Sequence, residues 1–114
     1  MAMLLFGVTA GCSTGIDVGT VRIAPYDVHV SRGGDFKPGS STRFGVVLGA
    51  GTRVDDVQLW FGEMSDTIHF VAEFDNDGSY EAKVPIANPM PPGSMLWMSI
   101  TASTSTVMGA IAVH

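Results

Sequence analysis

The chain has 114 residues, of which 46% are hydrophobic and 15% charged, and its formal net charge is −5. This length suffices for one domain with a single core, and the high apolar fraction excludes an intrinsically disordered chain. The acidic balance, with no cluster of Lys or Arg, argues against nucleic acid as a partner and against a polybasic contact with a membrane.

The N-terminal segment has the pattern of a secretion signal that ends at a cysteine. Residues 1–10 are mostly apolar, small residues lead into Cys12, and the small polar residues 13–15 follow at once. This order resembles the cleavage and lipidation box of a bacterial lipoprotein. We therefore expect 1–12 to be a lipoprotein signal remnant with Cys12 as its lipidation site, and 13–114 to form a single β-sandwich domain.

Two features of this segment favour a different interpretation. No Lys or Arg precedes the apolar stretch, and Thr9 stands where the lipoprotein box usually carries a large aliphatic residue. In this alternative the segment is an apolar first strand, and Cys12 is a small buried side chain. In either case a single cysteine excludes an internal disulfide, and no apolar run approaches the roughly 20 residues of a membrane-spanning helix.

The rest of the chain predicts β-strands, because apolar and polar residues alternate with a period of two in several segments. The first two, 18–23 and 26–31, are separated by Pro25 and are predicted to form one broken edge strand. The apolar stretch 107–113 is predicted to be the last strand. In the strands between them, the residues predicted to face the core are Thr42, Phe44, Val46, Leu48, Val57, Leu59, Phe61, Ile68, Phe70, Ala72, Phe74, Tyr80, Ala82, Val84, Leu96, Met98 and Ile100.

Turn and loop signals separate these strands. Residues 75–78, Asp-Asn-Asp-Gly, are typical of a tight hairpin, since Gly accepts the positive φ that such a turn requires. Four prolines within 85–93 exclude a paired strand there and predict an extended crossover loop. The fold class predicted from this pattern is all-β, an immunoglobulin-like antiparallel β-sandwich of seven to eight strands.

The order of several landmarks resembles a known family. Residues 36–39, Phe-Lys-Pro-Gly, precede one strand, residues 77–80, Asp-Gly-Ser-Tyr, open another, and the proline-rich loop leads through Gly93 to Trp97. This order resembles the small immunoglobulin-like domains of bacterial envelope proteins, such as the YtkA-like family. The resemblance implies the fold and a place at the cell envelope, lipid-anchored or secreted, and it carries over no catalytic residue.

Methionine and histidine supply a candidate metal site. Met64 and His69, joined by Met90 or Met95 from the nearby loop, could hold copper, because thioether and imidazole ligands suit Cu(I). In the alternative, the methionines fill gaps in the core.

Acidic residues supply a second candidate metal site around the predicted hairpin. Glu73, Asp75, Asp77 and Glu81 could bind calcium, although Val84 occupies the place of the bidentate Glu in an EF-hand-like loop. In the alternative, this is a solvated turn whose Asp and Asn side chains bond their own backbone.

The two tryptophans are candidates for a binding face. Trp60 and Trp97 alternate with the predicted core residues, so they would form an exposed aromatic strip for carbohydrate stacking or protein contact. In the alternative, a bulge or a phase shift of one residue buries either tryptophan.

No catalytic constellation is present in the sequence, since there is no Gly-x-Ser-x-Gly elbow, no triad spacing and no base beside Cys12. We therefore expect a non-enzymatic interaction module of the cell envelope that binds another protein or a polymer through its loops or the aromatic face. The alternatives are a small envelope copper-binding protein and a structural or carrier domain of a larger assembly. Membrane contact is expected only through the lipid anchor. The oligomeric state stays open, although an edge strand at 26–31 could pair with another copy.

Overall fold

The computed structural model describes residues 15–49, 52–75 and 77–114, and the predicted signal remnant with Cys12 lies outside these ranges. No helix within the described ranges is long and apolar enough to cross a membrane. In the described residues the secondary structure consists of nine strands: β1 (Ile16–Ile23), β2 (Tyr26–Gly33), β3 (Ser41–Val47), β4 (Asp56–Gly62), β5 (Phe70–Val71), β6 (Glu73–Phe74), β7 (Tyr80–Pro85), β8 (Met95–Ala102) and β9 (Ser105–Ile111).

The strands form two antiparallel sheets that pack face to face. The five-stranded sheet has the order β1-β2-β3-β7-β6, and the four-stranded sheet has the order β9-β8-β4-β5. This division of strands is consistent with an immunoglobulin-like sandwich, so the predicted fold class is confirmed, with nine strands in the described residues where seven to eight were expected.

The core lies between the inner faces of the two sheets. Most residues predicted to face it are buried, because strict alternation along a strand sends every second side chain to the same side. The buried residues among them are Thr42, Phe44, Val46, Leu48, Val57, Leu59, Ala72, Tyr80, Ala82, Val84, Leu96, Met98 and Ile100.

The prediction of a single strand over residues 68–74 is wrong. Ile68 is 71% exposed, and two strands of two residues each replace the predicted one. β5 pairs with β4 and β6 pairs with β7, so the chain passes from one sheet to the other within this segment. Between them the backbone N–H of Ala72 donates to the carbonyl of Val57 at 2.8 Å. A segment that changes sheets cannot keep one face towards the core.

The prediction of one broken edge strand around Pro25 is also wrong. β1 and β2 form a hairpin in which Ile23 pairs with Tyr26, and the cis Ala24–Pro25 bond lies in its turn. β2 also pairs with β3, so it is an interior strand, and β1 is the edge of the sheet. Pro25 marks a turn because a residue without an N–H is tolerated there more easily than in a ladder.

The predicted hairpin before β7 and the predicted loop after it are confirmed, except that Pro85 pairs with Ser41 and is the last residue of β7. The N–H of Asp75 donates to the carbonyl of Ser79 at 2.8 Å, and Gly78, with φ of +91°, completes the hairpin that joins β6 to β7. The proline-rich segment 85–93 then carries the chain from β7 in one sheet to β8 in the other.

Candidate functional site

Trp60 lies on the outward face of the four-stranded sheet but is only 1% exposed. Its neighbours Leu59 and Phe61 point towards the core, as alternation requires. The indole Nε1 donates to the carbonyl of Glu63 at 2.9 Å, which draws the β4–β5 loop (residues 63–69) over the ring. The exposed aromatic strip is therefore wrong for Trp60, and burial, the alternative, is correct, although a covering loop rather than a phase shift produces it.

His69, the last residue of the β4–β5 loop, covers the indole ring of Trp60. The two rings are stacked, with centroids 3.6 Å apart and an interplanar angle of 8°. The His69 Nδ1 lies 3.1 Å from Oε1 of Gln58, and Nε2 lies 2.8 Å from the carbonyl oxygen of Asp66. The Gln58 amide is oriented in turn, because its Nε2 donates to Asp56 at 2.8 Å.

Trp97 stands beside Trp60 and holds the same stretch of chain. The two residues are paired across β4 and β8, and Trp97 is half-buried. Its Nε1 donates to the carbonyl of Gly62 at 3.1 Å. The N–H of Glu63 donates to Oδ2 of Asp66 at 3.0 Å, which closes the loop on itself. Both indoles therefore serve as anchors for the end of β4.

An open cleft with a volume of about 350 Å³ lies beside this loop. Its walls come from both sheets, since Phe61 lies one residue before the end of β4 and Pro85 ends β7. An edge-on contact with Phe36 at 5.3 Å holds the Phe61 ring in place. The residues that line the cleft are Trp60, Phe61, Asp66, Thr67, Ile68, Phe70 and Pro85.

Exposed apolar side chains continue along the chain from the β4–β5 loop. Met64 is 54% exposed, and Val71, next to the cleft residue Phe70, is 62% exposed. Together with Ile68 they place three exposed apolar side chains within residues 63–71.

The predicted copper ligands lie on three different segments of the chain. Met64 and His69 share the β4–β5 loop, whereas Met90 lies in the crossover loop and Met95 begins β8. Both ring nitrogens of His69 already face oxygen atoms, so a copper ion there would have to displace one of these contacts. The copper site stays a prediction, and the contacts shown here give His69 a structural role.

The acidic residues of the β6–β7 hairpin form a compact cluster. Carboxylate oxygens of Asp75, Asp77 and Glu81 lie within 4.8 Å of one another. Asp77 accepts a hydrogen bond from the Ser79 hydroxyl at 2.7 Å and one from the Ser79 N–H at 3.0 Å. These two hydrogen bonds lower the pKa of Asp77. Glu81 faces Arg43 at 3.5 Å, so part of the charge is compensated.

The fold and the cleft define an immunoglobulin-like β-sandwich domain with an apolar recess between strand ends of its two sheets. Comparison with models of protein families, with curated proteins and with solved structures finds no match for this chain. The resemblance to YtkA-like domains stays a prediction, and the function has to be inferred from the chemistry of the cleft.

Sequence reasoning selected Trp60, Trp97 and His69 but missed the cleft. Phe70 packs against the core, as its place in the alternation predicts, and it also lines the cleft, whereas Ile68 lines the cleft from a solvent-exposed position. One available signal was the run of polar residues around Met64, Glu-Met-Ser-Asp-Thr, which is typical of a loop between strands. Pro85 lines the cleft from the opposite sheet, and no feature of the neighbouring sequence indicates this.

Proposed function

We propose that this chain is a non-catalytic immunoglobulin-like interaction module that binds a segment of a partner protein by accepting a large apolar side chain in the cleft. The single observation that carries the proposal is the cleft itself, about 350 Å³ in volume, next to Ile68 at 71% exposure. A recess of this size is at the lower end of the range of about 300 to 1,000 Å³ for ligand pockets, so it suits one anchoring side chain.

The wall of the cleft supports binding because it is held in place before a partner arrives. Trp60 is fixed by its hydrogen bond to Glu63 and by the His69 ring, and Phe61 is fixed by Phe36. Binding to a rigid recess costs less conformational entropy than binding to a mobile one. Buried aromatic anchors contribute most of the binding energy in many interfaces.

The rim supports a polypeptide partner rather than a carbohydrate polymer. Sugars stack on exposed aromatic faces, and the ring of Trp60 is covered by His69. Ile68 of the cleft instead offers exposed aliphatic surface, and Met64 of the same loop offers an exposed thioether, and both pack well against protein side chains.

The charge of the module favours a partner with basic residues beside its apolar anchor. Asp66 lines the cleft, and the net charge of the chain is −5. Opposite charges at the rim of an interface raise the association rate, and salt reduces this effect.

We place this module at the cell envelope on the pattern of residues that ends at Cys12. The described sandwich begins at Gly15, so a lipid on Cys12 would be separated from it by only three residue steps. Such a tether spans roughly 10 Å when fully extended, and it would keep the module close to the membrane surface.

Selection from a phage library of random 12-residue peptides tests the proposed function. We expect binders with a large apolar residue beside Lys or Arg, and Ile68→Asp should weaken their binding at least about tenfold, or about 1.4 kcal/mol. The matched control is Ile16→Asp, an exposed isoleucine at the start of β1, which should leave the affinity unchanged. Far-UV circular dichroism verifies that both variants fold. If no peptide is enriched, or if Ile68→Asp binds as well as the wild type, the proposal is wrong.

A further inference from the structure

The sandwich has four edge strands, and only one of them within the described residues lacks any protection against pairing. The edges are β1 and β6 of the five-stranded sheet and β9 and β5 of the four-stranded sheet. An edge strand presents unpaired N–H and C=O groups that another strand can bind, and proteins usually block this with charges, bulges, proline or short length.

Three of the edges are protected in these ways. β5 and β6 have two residues each. β1 carries the charged residues Asp17 and Arg22, and a shift of register between Asp17 and Gly19 interrupts its ladder.

β9 has none of these protections. Its seven residues, Ser-Thr-Val-Met-Gly-Ala-Ile, include neither a charged residue nor a proline. Its pairing with β8 runs without a shift from Ser105 to Ile111. Met108 at its centre is 51% exposed. This is an uncharged edge of seven residues with an uninterrupted ladder.

The hairpin geometry determines which backbone groups of β9 point away from β8. Ser103 and Thr104 form a two-residue turn, so Ala102 and Ser105 are the hydrogen-bonded pair that closes it. Hydrogen-bonded and non-bonded pairs then alternate along the ladder. The Thr101 carbonyl agrees with this phase, because it accepts from the N–H of Asp55 at 2.9 Å and so points towards β4.

From this alternation, the N–H and C=O groups of Thr106, Met108 and Ala110 point outward from the sheet edge. Among the described residues no strand other than β8 pairs with β9, and β1 contacts its inner face, where a Cβ at Gly109 would lie 2.5 Å from Cγ1 of Ile23. These outward N–H and C=O groups form a row of hydrogen-bond donors and acceptors that can pair with another strand.

We propose that β9 pairs antiparallel with β9 of a second copy of this chain, across a two-fold axis at Met108. In this register Met108 lies opposite Met108 of the second copy, and Thr106 lies opposite Ala110. All three outward-pointing residues then fall in hydrogen-bonded pairs, each of which exchanges two N–H···O bonds. The two four-stranded sheets become one continuous sheet.

The composition of β9 favours a second copy as the occupant. An antiparallel pair of identical strands brings equivalent residues together, and like charges facing each other would oppose it. β9 has no charged residue, and its exposed methionine would be covered by its own counterpart. The assembly should stop at two copies, because a two-fold contact uses the same edge of both. The opposite edge of the sheet, β5, has only two residues, which is too short to add a further copy.

Sedimentation velocity of the full chain over a range of concentrations tests this dimer. We expect a monomer–dimer equilibrium that shifts towards the dimer at high salt, because salt screens the repulsion between two chains of net charge −5. Met108→Lys should weaken the dimer at least tenfold, because it places two ammonium groups on the axis. Met64→Lys is the matched control, since Met64 has a similar exposure of 54%, and it should remain dimeric.

Two further measurements keep the proposal falsifiable if a variant simply loses stability. Met108→Lys and Met108→Glu, each monomeric alone, should form a heterodimer when mixed. In the wild type, amide exchange at Thr106, Met108 and Ala110 should slow as the protein concentration rises. A monomeric wild type, a dimer that survives Met108→Lys, no heterodimer on mixing, or exchange that is independent of concentration would each overturn the proposal.

Discussion

The imidazole of His69 lies flat against the indole of Trp60, with the ring centroids 3.6 Å apart and the planes within 8° of parallel. This contact buries a tryptophan on the outward face of a sheet, where solvent would otherwise reach it. It also fixes the loop that forms one wall of the cleft, because the same imidazole contacts Asp66, a cleft residue.

Replacing His69 by Ala should expose Trp60 and destabilise the fold. Stacked aromatic pairs contribute about 0.5 to 1.5 kcal/mol beyond the area they bury, and the loss of the polar contacts of the imidazole adds to this. We expect a red-shifted tryptophan emission and a free energy of unfolding, measured in urea, that falls by about 1 to 3 kcal/mol. His69→Phe keeps the stacking without the hydrogen bonds and should lose less. Equal loss in both variants would show that the ring contact contributes nothing.

Replacing Gly109 by Ala should destabilise the contact between β9 and β1. A Cβ at this position would lie 2.5 Å from Cγ1 of Ile23, and overpacking of this kind costs about 1 to 3 kcal/mol. Gly33→Ala is the matched control, because a Cβ there meets no atom within 4 Å. Thermal unfolding should show a lower midpoint only for the first variant.

The clash at Gly109 can be isolated from other effects of the substitution. Ile23→Ala removes the atom that the new Cβ would strike, so the double variant should lose less stability than the sum of the single ones. Strict additivity in this cycle would contradict a direct contact between the two side chains.

Replacing Ser79 by Ala should raise the pKa of Asp77 towards its ordinary value of 3.8, because the Ser79 hydroxyl is the main cause of its lowering. Since the pKa of Asp77 is lower in the folded state, its ionised form stabilises the fold above pH 3.8, and this contribution is lost as the pH falls through the folded-state pKa. Carboxyl carbon chemical shifts followed by NMR between pH 2 and 6 measure the change. Ser94→Ala removes a hydroxyl that bonds to Pro91 in another turn, and it should leave Asp77 unchanged.

Cys12 should carry a diacylglyceryl group when the protein is isolated from a bacterial host that expresses it. Mass spectrometry of the mature protein measures the adduct and the new N-terminus. Cys12→Ser should abolish the modification and release the protein from the membrane fraction. An N-terminus that is intact from Met1 would contradict the lipoprotein interpretation.

The inner faces of most long strands were predictable because burial of alternate residues is a local property. Phe44, Leu59 and Met98 each occupy the position in their strand that the period of two assigns to the core. The hairpin at Gly78 was predictable for a similar reason, since turn chemistry depends on a few adjacent residues.

The burial of Trp60 was not predictable from its strand. Alternation places it correctly on the outward face, and in an isolated strand that position would be exposed. Its cover comes from a loop that returns over the sheet, and the loop is held by Glu63 and His69. Periodicity describes which way a side chain points and contains no information on what covers it.

The sequence by itself determined the class of fold, the separation into two apolar inner faces and the turn at residues 75–78, because these follow from neighbours along the chain. Tertiary structure alone decided that 68–74 changes sheets, that β2 lies inside its sheet and that the cleft is formed from Phe61 and Pro85. These features depend on which strands become neighbours in space, and that choice is made by packing of the whole core rather than by any single segment.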